Sequence, residues 1–225
     1  MTFRLTFASL GLILVVVGCT PQISTSRTSD SGGQIVTRKS EQRPITGFNQ
    51  IQVSDAIEVH MMSQAQCTVA VAAPSDVLPL VKTELDYGTL KISVDAKNLQ
   101  LDRKIQVYLS SVDLIGVDLR GASVGVIENI KERKLVVKLS GASVLKLKGR
   151  TRDLQATIEG ASKLDAGPLV AERVTLTANG SSRALVNASS QLKATATGAS
   201  VITYKGGAKT EVRANDVSTI SPAGR

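Results

Sequence analysis

The 225-residue chain carries a formal net charge of +8 and is 42% hydrophobic but only 3% aromatic, with no Trp, one His and two Cys. Its Lys and Arg residues are scattered singly and lack interleaved aromatics, which argues against nucleic acid as a partner, and one His with two Cys cannot assemble a zinc site by spacing. The length suits one domain with a sizeable core, and the missing rings call for a narrow interior filled by Val, Leu, Ile and Ala.

Residues 1–18 have a short cationic start at Arg4 and an apolar run from Leu10 to Val17. That is the anatomy of an export signal, and the run is too short for a membrane span of about 20 residues. It ends in Val16-Val17-Gly18-Cys19, which resembles the bacterial lipobox. The resemblance implies cleavage before Cys19, diacylglycerol on its thiol and acylation of the new N-terminus. Several acyl chains at about 0.8 kcal/mol per buried methylene make a stable anchor. Thr20 stands where an Asp would signal inner-membrane retention, so the outer membrane is favoured. From Cys19 to Pro44 the chain is rich in Ser, Thr, Gln and Gly and reads as lipid anchor plus flexible tether. The domain proper is expected over residues 45–225.

Residues 45–115 are irregular. Ile51–Val53, Ala56–Met61, Cys67–Val71, Leu90–Val94 and Ile105–Leu109 read as strands, Val77–Leu85 as a short helix, and Tyr87-Gly88-Thr89 as a turn. Cys67 sits in an apolar run and reads as a small buried hydrophobe. This region is expected to start the β stack and cap its open end.

From Gly121 onward the sequence repeats. Gly-Ala-Ser recurs at Gly121, Gly141, Gly160 and Gly198, as Gly-Ser-Ser at Gly180, and in degenerate form at Asp216-Val217-Ser218. The intervals are 20, 19, 20, 18 and 18 residues. Two before the Gly stand Leu119, Leu139, Ile158, Ala178, Ala196 and Ala214; four before it stand Val117, Val137, Ala156, Leu176, Ala194 and Val212. The residue directly before it is polar each time. That period of 2 means strands with one face in and one out. A strand pair every ~19 residues cannot bury its apolar face alone, but stacked copies can. A solenoid fits better than a meander barrel. Small residues (Ala122, Ala142, Ala161, Ala199) recur as inward ladders require, Gly recurs at each corner, and hairpin signals between repeats are scarce. The expected fold is therefore all-β, a parallel β-helix of about five to six coils, each rung about 4.8 Å from the next.

Phe48-Asn49-Gln50-Ile51-Gln52-Val53, Ala56-Ile57-Glu58-Val59, Leu90-Lys91-Ile92 and the Gly-Ala-Ser series together resemble the DUF2807 family, the putative auto-transporter adhesin head GIN domain. The resemblance spans about residues 45–220. It implies a right-handed parallel β-helix in an exported or lipid-anchored protein, and supplies no catalytic residues, metal or cofactor.

Two functional classes follow. Ser123, Ser143, Ser162, Ser182 and Ser200 offer a ladder of hydroxyls that could meet a polysaccharide or an envelope protein; the same serines could instead serve turn backbone groups. The column three before the Gly holds a shorter ladder, Thr157, Thr177 and Thr195. The rival class is a carbohydrate-active β-helix enzyme, a lyase or glycosidase, which needs acids grouped on one outer face. Glu159 and Asp165 fall on different strands of one coil, and no two acids stack in adjacent coils in the column three before the Gly. The reading is a non-enzymatic, lipid-anchored envelope protein for adhesion, binding or scaffolding, without cofactor.

Overall fold

The structure, a computed structural model, describes residues 23–29, 35–95 and 104–224. The leader and Cys19 lie outside them. In chain order the strands are β1 (Ile23–Ser29), β2 (Ile35–Arg43), β3 (Gln50–Val53), β4 (Ile57–Ser63), β5 (Thr68–Pro74), β6 (Val81–Asp86), β7 (Thr89–Val94), β8 (Ile105–Ser111) and β9 (Gly116–Leu119). The repeats supply β10 (Val124–Leu139), β11 (Val144–Ile158), β12 (Lys163–Ala178), β13 (Arg183–Ala196), β14 (Val201–Lys205), β15 (Lys209–Ala214) and β16 (Thr219–Pro222). The architecture is a parallel β-solenoid of about five turns with an irregular N-terminal region.

Each full repeat is one long strand bent in the middle, where the pairing register shifts. The first halves of β10 to β13 stack in parallel, continued by β14 and β16. We call this the first face. The second halves form the second face, with β9 on one side and β15 on the other. The Gly-Ala-Ser corners join the faces. The corner glycines take φ near +75°, from Gly121 (φ 72) to Gly141 (φ 78). Close approach enforces the choice, since a Cβ on Gly141 would lie 2.5 Å from the Gly121 carbonyl oxygen. Asp55 (φ 71), between β3 and β4, and Asp216 (φ 56), in the last coil, take the same conformation, which Asp tolerates better than most residues. There the carboxylates accept from the Val94 and Gly198 backbone N–H groups.

The interior is a column of aliphatic rungs. Leu119, Leu139, Ile158, Ala178 and Ala196 are all essentially buried. Packing is tight enough that a Cβ on Gly125 would meet Leu145 at 2.8 Å and Leu119 at 3.0 Å. The rungs shrink toward the C-terminus, from Leu and Ile to Ala.

The N-terminal region departs from chain order. On the second face β3 lies between β7 and β9; on the first face β4 lies between β8 and β10. The β3–β4 coil, early in the chain, is thus inserted between two coils made later. The link from β8 to β9 passes over it: Ser111 Oγ donates to the Phe48 carbonyl at 2.7 Å, and the Ile115 N–H to the Asn49 carbonyl at 2.8 Å.

The five strands expected in residues 45–115 are present, and Tyr87 (φ 43) and Gly88 (φ 78) form the expected turn. Two expectations fail. Val77–Leu85 is not a helix beyond one 3-10 turn at Leu78–Leu80, after which β6 pairs with β7; so short a helix has little stability of its own, and a ladder partner wins. The tether is also shorter than its composition suggests. β2 pairs antiparallel with β5, and Arg38 donates to the Lys104 carbonyl at 2.9 Å. A polar sequence does not prevent pairing when an edge strand offers a template. Cys67 is half-buried against the core, with a free thiol.

Candidate contact surface

The corner serines do not form an outer surface. Ser123, Ser143, Ser182 and Ser200 are 0% exposed and Ser162 is 1% exposed. The hydroxyls of Ser123, Ser143, Ser182 and Ser200 each donate to the carbonyl three residues back, at 2.8–3.0 Å. Ser162 donates to the Gly141 carbonyl one coil below. A carbonyl turned away from its strand partner at a corner needs such a donor. The serine ladder is therefore corrected to a structural role, because no partner can reach it. The alanines are corrected with it: Ala122, Ala142, Ala161 and Ala199 are exposed. The strand alternation carried through the corner gives this phase, since each Ser is two residues before an inward Gly125 or Leu145.

The outer side of the second face is polar and in register. One row runs Gln155, Thr175, Lys193, Glu211 and the next Thr157, Thr177, Thr195, Arg213. Gln155, Thr157, Thr175, Gln191 and Lys193 are exposed; Thr177 and Thr195 are half-buried between their neighbours. A shallow depression of about 400 Å³ lies among Asp153, Gln155, Arg173, Thr175, Gln191 and Lys193. A second, of about 380 Å³, lies over Gly116 among Gln50, Gln52, Thr89, Lys134 and Lys138. A Cβ on Gly116 would stand 2.9 Å from Gln50 Cγ, so the glycine lowers the floor of this hollow.

The carboxylates among these rows are held by cations. Arg173 donates to both oxygens of Asp153, at 2.5 and 2.7 Å. That guanidinium holds the Asp153 carboxyl below its ordinary range. Arg120 pairs with Asp118 at 2.6 Å, and Lys193 with Glu211 at 3.3 Å. A glycosidase needs one carboxylic acid kept protonated beside one free carboxylate, and a carboxylate that Arg or Lys already pairs is a poor proton donor. Glu132 is raised by burial. However, it accepts the Leu114 N–H at 3.2 Å behind the β8–β9 link, where it serves the backbone.

The first face carries a feature that strand patterns missed. His60 and Tyr108 stack with ring centroids 5.3 Å apart and planes 16° from parallel. His60 Nε2 lies 3.0 Å from Glu58 Oε1, and Gln106 donates to the other Glu58 oxygen at 3.2 Å. Met62 and Tyr108 are half exposed. Both rings stood at outward positions of expected strands. Only the pairing of β4 with β8, 48 residues apart at His60↔Tyr108, brings them together. Among the described residues no three His, Cys, Asp or Glu side chains converge as metal ligands do.

Comparison with known proteins agrees with this geometry. No curated protein matches the chain. A structure described as a putative adhesin from Bacteroides fragilis shares 19% identity and a TM-score of 0.66, over 83% of this chain and 97% of that one. Two from Parabacteroides distasonis, described as a putative lipid binding protein and a putative adhesin, share 14% and 17% identity. Each has a TM-score of 0.48 and covers 83% of this chain and 97% of its own. The first of these similarities shows the shared fold. Residues 47–208 match the family described as putative auto-transporter adhesin, head GIN domain, and the chain belongs to that family, DUF2807.

Proposed function

We propose that the chain is an exported lipoprotein, anchored at Cys19 in the outer membrane, that uses the second face for non-enzymatic adhesion. The observation that carries this reading is the in-register surface of Gln155, Thr157, Thr175, Thr177, Gln191 and Thr195, beside which Asp153 is paired with Arg173 and Glu211 with Lys193. Neutral donors and acceptors repeating at about 4.8 Å suit a polymer with repeated hydroxyls, so a polysaccharide of the envelope is the favoured partner. The family's adhesin description supports the same class of role. The lipobox-like Val16-Val17-Gly18-Cys19 supports the anchor, and Thr20 the outer membrane.

The test is a glycan-array screen of the protein, with each bound glycan followed by mass spectrometry. Binding without product supports adhesion and names the ligand. Cleavage would replace this reading with a carbohydrate-active enzyme, and silence would leave the polysaccharide partner without support. In the same preparation, Cys19→Ala is expected to move the protein from the membrane to the soluble fraction. A variant that still sediments with membranes would refute the anchor.

A further inference from the structure

The two ends of the solenoid are finished differently. At the N-terminal end β8 is covered by antiparallel β5, which is followed by β2 and β1, and β7 is covered by β6. At the C-terminal end no strand among the described residues covers β15 or β16. The inward column shows the consequence. Val117, Val137, Ala156, Leu176 and Ala194 are 1–4% exposed, and the next member, Val212, is 43% exposed.

The two open edges are also unlike each other. The Thr219 N–H bonds the Ser200 carbonyl, so by alternation Ile220 and Pro222 of β16 turn their backbone groups to the free edge. Pro222 has no N–H to offer there, which blunts that edge. β15 contains no proline. The Asn215 N–H bonds the Ala196 carbonyl, so alternation leaves the N–H and C=O of Thr210, Val212 and Ala214 pointing outward, unpaired.

We propose that β15 is the pairing edge for a second copy of this chain, antiparallel about a twofold axis at Val212. Charge complementarity selects both occupant and register. Centred on Val212, Glu211 lies opposite Arg213 of the second copy, and the pair occurs twice. Thr210 meets Ala214, and Val212 meets its own counterpart, so outward residues face outward ones and inward ones inward. Centring on Glu211 would set Lys209 against Arg213, and centring on Arg213 would set it against itself; like charges directly opposite are unfavourable. Centring on Thr210 pairs Lys209 with Glu211 but engages only half of the strand and leaves Val212 outside it. Registers centred between residues would oppose inward to outward side chains. Arg213 is free to serve: its side chain is 74% exposed and only 3.8 Å from Glu211 of its own strand, while Lys193 already holds that carboxylate from below. Each Glu211 would then sit between Lys193 and the arginine of the second copy. An isologous pair of this kind closes on itself and does not propagate.

The test is sedimentation of the protein with a charge-swap series. We expect a dimer for the unaltered chain. Arg213→Glu should raise its dissociation constant by about tenfold or more, and Glu211→Arg together with Arg213→Glu should restore it. A second readout does not depend on the charges. Val212→Cys should give covalent dimers with a short thiol cross-linker. Val217→Cys should not, although Val217 is 80% exposed, because two copies of it would stand about 30 Å apart. A monomer at every concentration would overturn the proposal and assign Lys209, Glu211 and Arg213 to guarding the edge. A dimer indifferent to Arg213→Glu, or cross-linking equally at Val217, would place the interface elsewhere and overturn it too.

Discussion

Two polar ladders run along this solenoid, and they have opposite meanings. Ser123, Ser143, Ser162, Ser182 and Ser200 recur once per coil and lie inside the corners, their hydroxyls bonded to the chain's own carbonyls. Thr157, Thr177 and Thr195 recur at the same period, three residues before each corner glycine, and stand on the outer face. The serine series is longer and more regular, yet it faces nothing but the protein. Regular recurrence in a solenoid reports coil geometry. Which side of the strand a ladder occupies decides whether a partner can use it.

The contrast can be broken most severely at the corner that holds the serines. Gly141→Val would drive a Cβ to 2.5 Å from the Gly121 carbonyl oxygen at φ 78, and we expect a loss of about 3 kcal/mol or more. Gly207, with nothing within 4 Å of a built Cβ, is the control: Gly207→Ala should stay within about 0.5 kcal/mol. Urea unfolding of both variants measures the difference. Ser143→Ala, which removes the donor to the Ser140 carbonyl at 2.9 Å, should cost about 1 kcal/mol. Thr177→Val, which removes an outer hydroxyl and keeps the β-branch, should change stability by less than about 0.5 kcal/mol. Equal costs for Ser143→Ala and Thr177→Val would erase the distinction between the ladders.

The smallest effect concerns the ion pair beside the threonines. The Arg173 hydrogen bond lowers the Asp153 carboxyl in the folded protein. Its contribution is therefore present above the ordinary Asp value of about 3.9 and is lost as pH falls through the lower folded value. Arg173 is exposed and Asp153 half-buried, and solvent screens a pair at the surface, so the effect is small. Arg173→Met should lower the melting temperature slightly at neutral pH, and the difference should close as pH falls below about 4. A difference that persists unchanged below about pH 4 would assign the pair another role.

Much of this fold is legible in the amino-acid order, and the reasons are physical. The repeat is readable because each coil pairs with the next in chain order, so the Gly-Ala-Ser intervals are also the spatial intervals. The N-terminal strands are readable singly, from their alternation. Their arrangement is not, because placing β3–β4 between β7–β8 and β9–β10 depends on pairings such as Val53↔Ile92 and Val53↔Leu119, which no local pattern carries. The His60–Tyr108 stack was hidden for the same reason. The phase of the serines was within reach, since alternation from Leu119 through Ser123 to Gly125 turns the hydroxyl inward. Alanine recurs in the same triplets, but it is the outward residue and serine the inward one.

The most direct measurement is binding by three proteins on one glycan array: the unaltered chain, the triple variant Thr157→Val, Thr177→Val, Thr195→Val, and Ser143→Ala. If the outer second face is the contact surface, the triple variant loses about tenfold or more in affinity, as expected when several hydrogen bonds of about 0.5–1.5 kcal/mol each are removed. Ser143→Ala, once folded, then binds as the unaltered chain does. Undiminished binding by the triple variant, or selective loss in Ser143→Ala, would contradict the assignment of adhesion to this face.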